Sequence, residues 1–330
     1  MKQRILITRP LFPDIVDRLR EYFDVEINQG PRYSTDQLRE ALRDKSGVLV
    51  AGGEKIDATV LEGLSGLRAV CVSAAGYNNV DVAALTKAGV IGTNAPGPAD
   101  ETVADFSWGL MIATARKLVE AEKWVQDGLW QGSAGQRFFG TDLYGKTLGI
   151  IGMGRIGQAI ARRAAGFRIK VLYHNRHRLD TPVEEEFRAS YRSKEELLAE
   201  SDFVILALPY TPGNYHLIGE KELQLMRPSA MLFNIARGGL IDEPALAKAL
   251  KSGQIAAAGL DVFEGEPGID PGLIGLPNAT LTPHIAGGTE EAQHGLASVA
   301  ADNLIAALGL GPDAGHPPAI LNPEVLIRKP

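Results

Sequence analysis

The segment KTLGIIGMGRIGQAIARRAAGF, residues 146–167, runs an apolar strand directly into a glycine turn and the turn directly into a helix. Gly152, Gly154 and Gly157 stand in the spacing Gly-x-Gly-x-x-Gly. The first glycine permits the tight turn, the second lets a backbone approach a pyrophosphate, and the third lets helix and strand pack closely, while the N–H groups at the helix start stay free for an anion. A strand, turn and helix of this kind demand a parallel sheet with helical crossovers, and they predict a dinucleotide site.

The flanking sequence keeps the same rhythm. RILIT precedes PDIVDRLREYF, GVLVA precedes DATVLEGL, RAVCVS precedes DVAALTKAG, and VIGTN follows. After Lys146 the alternation restarts: TLGII, a helix from Arg155, KVLYH, SKEELLAE, DFVILALP, KELQLM, AMLFNIA, EPALAKALKSG and IAAAGLDV. Nearly continuous apolar strands separated by helical segments indicate parallel sheets covered on both faces. The expected fold is therefore α/β, with two doubly wound parallel-sheet (Rossmann-like) domains. Ser34 before DQLREAL, with Gln37 three residues on, predicts a capping box. ETVADFSWGLMIATARKLVEAEKWVQDG reads as one long helix, and its middle is apolar on nearly every side. Such a helix needs cover all round, from a core between domains or from a second copy of the chain. A second long helix is expected from about Gly288 to Leu308, and the Gly/Pro-rich GLGPDAGHPPAI reads as a surface tail. The chain is expected to leave the first domain near residue 98 and to return to it near 287.

Composition excludes several function classes. The 330 residues carry 34 Lys and Arg against 40 Asp and Glu, a formal charge of -6, and no basic block stands out. Neither nucleic acid nor an anionic membrane is an expected partner. No uncharged apolar run approaches the ~18 residues of a bilayer span. The N-terminal ILI, closed at once by Arg9 and Pro10, is too short for an export signal. The lone Cys71 cannot form an internal disulfide and reads as a buried thiol, so a cytoplasmic setting is expected.

Cofactor choice is read at the end of KVLYH. NAD-binding versions of this unit place an acidic residue about 20 positions after the glycines, to hold the ribose hydroxyls. Here Asn175 stands at that strand end, followed by Arg176, His177 and Arg178. Without a carboxylate a 2′-phosphate meets no repulsion, and one cation at ~4 Å attracts it by up to about 4 kcal/mol at an effective dielectric near 20. NADPH (cofactor NADP) is expected over NADH, with NAD possible if Asn175 serves the ribose. His174 and His177 make no metal site, because the flanking arginines repel a cation and no third ligand is near.

NIARGGLID around Arg237, GLDVFEGEP around Glu266 and LTPHIAGGT around His284 each follow an expected strand of the second domain. In an open parallel sheet, ligands sit at those carboxyl ends. Together with GMGRIG these segments resemble the D-isomer-specific 2-hydroxyacid dehydrogenase family, from about Gly47 to Asn322. ETVAD, the stretch from Trp124 to Trp130 and VLYHNRHR are most similar to its glyoxylate/hydroxypyruvate and 2-ketogluconate reductases.

The resemblance implies a substrate (flavodoxin-like) domain of 1–98 plus 288–330 and an inserted NAD(P)-binding domain of 99–287. It implies reduction of a small 2-oxo acid to a D-2-hydroxy acid by a homodimer. Arg237 would bind the substrate, His284 would be the acid/base, and Glu266 would pair with the histidine. Backbone N–H groups of Ala75 and Gly76, in SAAGYNNVD, would hold the substrate carboxylate. The implied cofactor set is Thr102, Gly152, Gly154, Arg155, Ile156, Gly157, Asn175, Arg176, Arg178, Leu208, Pro209, Ile235, Ala236, Asp261, His284 and Gly287. Asn175 departs from the aspartate of NAD-linked members. Non-catalytic, dinucleotide-sensing members set an alternative. Glu266 argues against formate dehydrogenase-like chemistry, which pairs the histidine with glutamine, and AAGYNN lacks the lysine expected for phosphite oxidation.

The chemistry suits these roles. Reduction at C2 needs a hydride, a proton for the developing alkoxide and a fixed cation on the carboxylate and carbonyl. Arg237 offers the cation as a planar fork. A carboxylate beside His284 favours imidazolium, so that ring is expected to titrate above its reference of about 6.5. NADPH would supply the hydride. Tyr77, Trp130 and Phe139 are candidate contacts for the substrate tail.

Overall fold

The structure, a computed structural model, describes residues 1–327 and divides into two compact units. The first is Met1–Ala99 together with the chain from Thr289 onward; the second, Asp100–Gly288, is inserted into it.

The first unit holds β1 (Gln3–Ile7), β2 (Phe23–Ile27), β3 (Gly47–Val50), β4 (Ala69–Val72) and β5 (Ile91–Thr93). All pairings are parallel, in the order β2-β1-β3-β4-β5. This is the flavodoxin-like doubly wound order. The central strands are buried on both faces, which is why they read as unbroken apolar runs. One face is covered by the helices Pro13–Tyr22 and Glu290–Ala307, the other by shorter helices that include Thr35–Leu42 and Val82–Ala88. The expected capping box is present: Ser34 Oγ accepts from Gln37 N, and Ser34 N donates to the Gln37 side chain. Glu290–Ala307 returns from the far end of the sequence to complete this core. A Cβ on Gly47 would lie 2.8 Å from Leu304 Cδ1, so strand and helix pack closely here and a larger residue would have to push the leucine side chain aside. Cys71 is fully buried here, and burial pushes its thiol up to about 12.

The second unit holds β6 (Thr147–Ile151), β7 (Lys170–His174), β8 (Ala189–Tyr191), β9 (Phe203–Leu206), β10 (Met231–Asn234), β11 (Ala257–Leu260) and β12 (Ala279–Leu281). The order β12-β11-β10-β9-β6-β7-β8, again all parallel, is the Rossmann order with a seventh strand added at one edge. Its direction of winding reverses between β6 and β9, the place where such sheets open a crevice at their carboxyl ends.

One expectation needs correction. The stretch 101–128 is not one helix: it forms Asp100–Ala115 and Leu118–Gln126, broken at Lys117, whose φ is 53°. The cause is a chain crossing at the break, where Thr141 N takes the Ala115 carbonyl at 2.9 Å and Gly140 passes so close that a Cβ there would sit 2.3 Å from that oxygen. The first of these helices is covered within its own unit. Trp108 stacks on Phe167 with centroids 4.5 Å apart and donates to Ile160 O, while Glu101 and Asp105 pair with Arg163. The stretch 309–320 is mostly exposed, as a surface tail should be, and the chain is anchored at its end: Ile320 bridges to Thr93, and beyond it the fully buried Asn322 accepts from Gly92 N and donates to Val90 O. Among the described residues no helix is long and apolar enough to cross a membrane.

Candidate active site

The glycine turn lies at the reversal point, between β6 and the helix Arg155–Ala164. Gly152 has φ 102°, and a Cβ on it would meet Ala207 O at 2.5 Å; one on Gly157 would meet Gly152 O at 2.3 Å. Neither position admits a side chain. Gly154 differs, because a Cβ there meets no protein atom within 4 Å. It caps the helix without a side-chain acceptor, so the N-cap residue itself takes none of the first N–H groups, those of Arg155 and Ile156 among them. A bare helix start beside a glycine with nothing over it fits a pyrophosphate.

Most of the other expected cofactor residues stand just after strands of this sheet, at their carboxyl ends. Leu208 and Pro209 follow β9, Ile235 and Ala236 follow β10, Asp261 follows β11, and Asn175 follows β7. Thr102 is on the helix Asp100–Ala115, and Gly287 lies at the end of the segment after β12. Asn175 has a role that spacing did not reveal: its Oδ1 accepts from Met153 N at 2.7 Å and so braces the glycine turn. Arg176 and His177 are exposed beyond it. Arg178 is engaged elsewhere. Its Nε and Nη2 both donate to Glu184 at 2.8 Å, and Tyr173 OH donates to the same carboxylate at 2.5 Å. The Arg178 and Tyr173 hydrogen bonds hold Glu184 down at about 2, while burial and then Glu184 push the Tyr173 hydroxyl up to about 12.

Three turns carry the polar chemistry. After β10, buried Asn234 accepts from Ala236 N and donates to Arg237 O, which shapes the turn that presents Arg237. A Cβ on Gly238 would fall 1.8 Å from the Phe263 carbonyl carbon, so this turn packs backbone against backbone on the segment after β11. There Glu266 accepts from Phe263 N through Oε1 at 2.8 Å and from His284 Nδ1 through Oε2 at 2.7 Å. Burial pushes the Arg237 guanidinium down, and the Glu266 charge opposes that shift. Glu266 thus acts on the imidazole and the guanidinium together.

His284 is held by a buried carboxylate. Asp261, fully buried, accepts from Ile285 N at 2.9 Å, Ala286 N at 2.8 Å and Thr282 Oγ1 at 2.7 Å, and its carbonyl takes His284 N at 2.8 Å. These bonds hold His284 in a left-handed conformation, φ 54°, which a non-glycine residue keeps only where its surroundings fix it. Asp261 therefore builds the turn that carries the histidine. With Nδ1 given to Glu266, Nε2 is the nitrogen free to exchange a proton with a ligand.

In the first unit, Ala75 and Gly76 lie on the loop after β4, where Asn94 Nδ2 donates to Ala75 O at 2.6 Å and Ala95 N donates to Ala74 O. Tyr77, Trp130 and Phe139 are exposed. No group of three His, Cys, Asp or Glu among the described residues could hold a metal ion.

A Rossmann-ordered sheet with its glycine turn at the reversal, and a histidine–glutamate pair beside a half-buried arginine at neighbouring strand ends, fit an NAD(P)-dependent oxidoreductase. Residues 108–286 match the family described as D-isomer specific 2-hydroxyacid dehydrogenase, NAD binding domain. Over its whole length the chain is 46% identical to a glyoxylate reductase of Thermococcus gammatolerans, covering 99% of that protein. A glyoxylate reductase structure from Paecilomyes thermophila aligns with TM-score 0.88 at 33% identity, covering 98% of this chain and 99% of that one. An NADPH-dependent glyoxylate/hydroxypyruvate reductase from Sinorhizobium meliloti, solved with NADP and malonate, aligns with TM-score 0.86 at 31% identity over 97% of each chain. The chain belongs to the D-isomer-specific 2-hydroxyacid dehydrogenase family.

Proposed function

We propose that this enzyme reduces small 2-oxo acids, glyoxylate and hydroxypyruvate among them and 2-ketogluconate as a larger candidate, to D-2-hydroxy acids, with NADPH as the preferred donor. The observation that carries the reading is the 2.7 Å bond from His284 Nδ1 to Glu266, whose charge also acts on the half-buried Arg237. Arg237 binds the carboxylate and polarises the carbonyl; His284, oriented through Nδ1 by Glu266, gives the alkoxide its proton from Nε2. The N–H groups of Ala75 and Gly76 bind the substrate carboxylate in the first unit, which takes the substrate role.

The dinucleotide, when bound, supplies the hydride. Gly152, Gly154 and Gly157 with the N–H groups of Arg155 and Ile156 hold its pyrophosphate. Thr102, Leu208, Pro209, Ile235, Ala236, Asp261 and Gly287 line or shape the rest of its site. NADPH is favoured because no carboxylate stands at Asn175 and the exposed Arg176 is available for a 2′-phosphate. Similarity to reductases named for glyoxylate supports the substrate class.

A homodimer is part of this reading. The helix Leu118–Gln126 buries none of its own residues, and Leu118, Val119, Val125, Leu129, Trp130 and Phe139 stand exposed around it, an apolar face of the kind a second copy covers. A cytoplasmic setting suits the single free thiol.

The test is a panel of glyoxylate, hydroxypyruvate and 2-ketogluconate, each with NADPH and with NADH. Turnover with NADPH several-fold above NADH on at least one acid is expected. Absence of turnover with every acid and both cofactors would leave a dinucleotide sensor as the better reading.

A further inference from the structure

The turn Glu264-Gly265-Glu266 carries two histidine–glutamate pairs. Glu266 takes His284, and Glu264 takes His216, whose Nε2 lies 2.8 Å from Glu264 Oε2. Tyr215 OH donates to the other Glu264 oxygen at 2.8 Å, and its ring stacks on the His216 imidazole with centroids 3.8 Å apart. His216 and His284 also share an unusual backbone, with φ 50° and 54°. The remaining left-handed residues other than glycine, Lys117, Arg168 and Arg188, stand at helix ends, and the two histidines do not.

Glu264 and Glu266 are separated by Gly265, φ 82°, a residue that by itself would let the turn swing. The turn is pinned from below as well: Glu243, 4% exposed, accepts from Glu264 N and Asp270 N, and Gly238 lies against the Phe263–Glu264 backbone. The Glu264 side chain is the third anchor. The groups facing it are His216 and Tyr215; those facing His216 are Glu264, Tyr215 and Asp242, whose Oδ2 lies 3.8 Å from Nδ1. The His216 hydrogen bond holds the Glu264 carboxyl below the usual carboxylate range, burial opposes this, and the Tyr215 hydrogen bond adds to it.

We propose that His216 and Glu264 form a positioning pair: they fix the turn that carries Glu266 and so keep its carboxylate on His284. The inference rests on the acid role given to His284 above. Displacement of a catalytic group by about 1 Å costs up to ~100-fold in rate, so an anchor two residues from Glu266 has leverage on the chemistry.

The experiment compares the full chain with His216→Ala, His216→Gln and Glu264→Ala. One readout needs no turnover: the far-downfield proton resonance of His284 Nδ1–H, assigned by its loss in His284→Gln. His216→Ala and Glu264→Ala should broaden it or move it upfield. In both, kcat should fall about tenfold with KM changed less than about twofold. His216→Gln, whose amide still donates to Glu264, should restore both the resonance and kcat. An unmoved resonance in His216→Ala, or His216→Gln as impaired as His216→Ala, would overturn the proposal. The two histidine variants decide the matter even if Glu264→Ala does not fold. Should the wild type turn over no 2-oxo acid, the resonance still reports on the pair, so the two failures are distinguishable.

Discussion

Asp261→Asn is the sharpest probe of how the sequence builds the histidine turn. The exchange is almost isosteric, so packing is kept. The wild-type carboxylate accepts three hydrogen bonds at 2.7–2.9 Å, two of them from backbone N–H groups, with no exposure to water. An asparagine presents one oxygen and one NH2, so at least one backbone donor loses its acceptor and faces another donor. A hydrogen bond to a charged group contributes about 1.5–3 kcal/mol, and an orphaned buried donor adds about 1–3 kcal/mol, so the variant should lose about 3–5 kcal/mol. For a unit of this size that is a fall in Tm of roughly 10 °C. The assay is thermal unfolding followed by circular dichroism, with 2-oxo acid turnover measured well below Tm. Because the same bonds hold His284, kcat should fall as well, while Thr282→Val, which removes one donor and leaves the carboxylate, should cost about 1–2 kcal/mol. A variant within about 2 °C of wild type with unchanged kcat would refute the role given to Asp261.

Three further outcomes follow from the geometry. Gly154→Ala should leave Tm unchanged, since its Cβ meets no protein atom within 4 Å, yet weaken dinucleotide binding about tenfold or more by calorimetry; Gly157→Ala, with a clash at 2.3 Å, should lower Tm as well. Arg176→Ala should weaken NADPH more than NADH, whereas Arg178→Ala, which frees Glu184, should destabilise the strand end in thermal unfolding; equal loss of both cofactors in Arg176→Ala would return Asn175 to the NADH reading. Glu184, held at about 2 when folded against its ordinary 4.5, contributes stability that is present above about pH 4.5 and lost as pH falls toward 2. Glu184→Gln should remove that part of the acid-side decline in urea midpoints, and an unchanged slope would contradict the pairing.

The interior of both sheets was legible because strands buried on both faces have no choice but to be apolar: GVLV and FVIL, the cores of two such runs, are buried at every position. The strands that went unread, β2 and β8, are both edges. β2, FDVEI, alternates between covered and exposed residues, and β8 is three residues long, too short for any period to show. The break at Lys117 was hidden because it is imposed by a tertiary contact, the Thr141 N–H on Ala115 O, while the local sequence remains helix-forming. The glycine turn, Arg237, Glu266 and His284 were legible because their chemistry depends on residue type and spacing. What the sequence could not show is how these groups are held. Asn175 on Met153 N, Asp261 under His284, Arg178 spent on Glu184 and His216 on Glu264 join residues from 6 to 48 positions apart, and nothing local marks them.

The most direct measurement is kcat for glyoxylate reduction by NADPH in the wild type, His284→Gln and Arg237→Ala, with Tm recorded for each. Removal of the proton donor or of the charge stabiliser should cut kcat by ~100-fold or more while Tm stays near wild type. Near-normal turnover in both variants would contradict the assignment of His284, Glu266 and Arg237 to the chemical step.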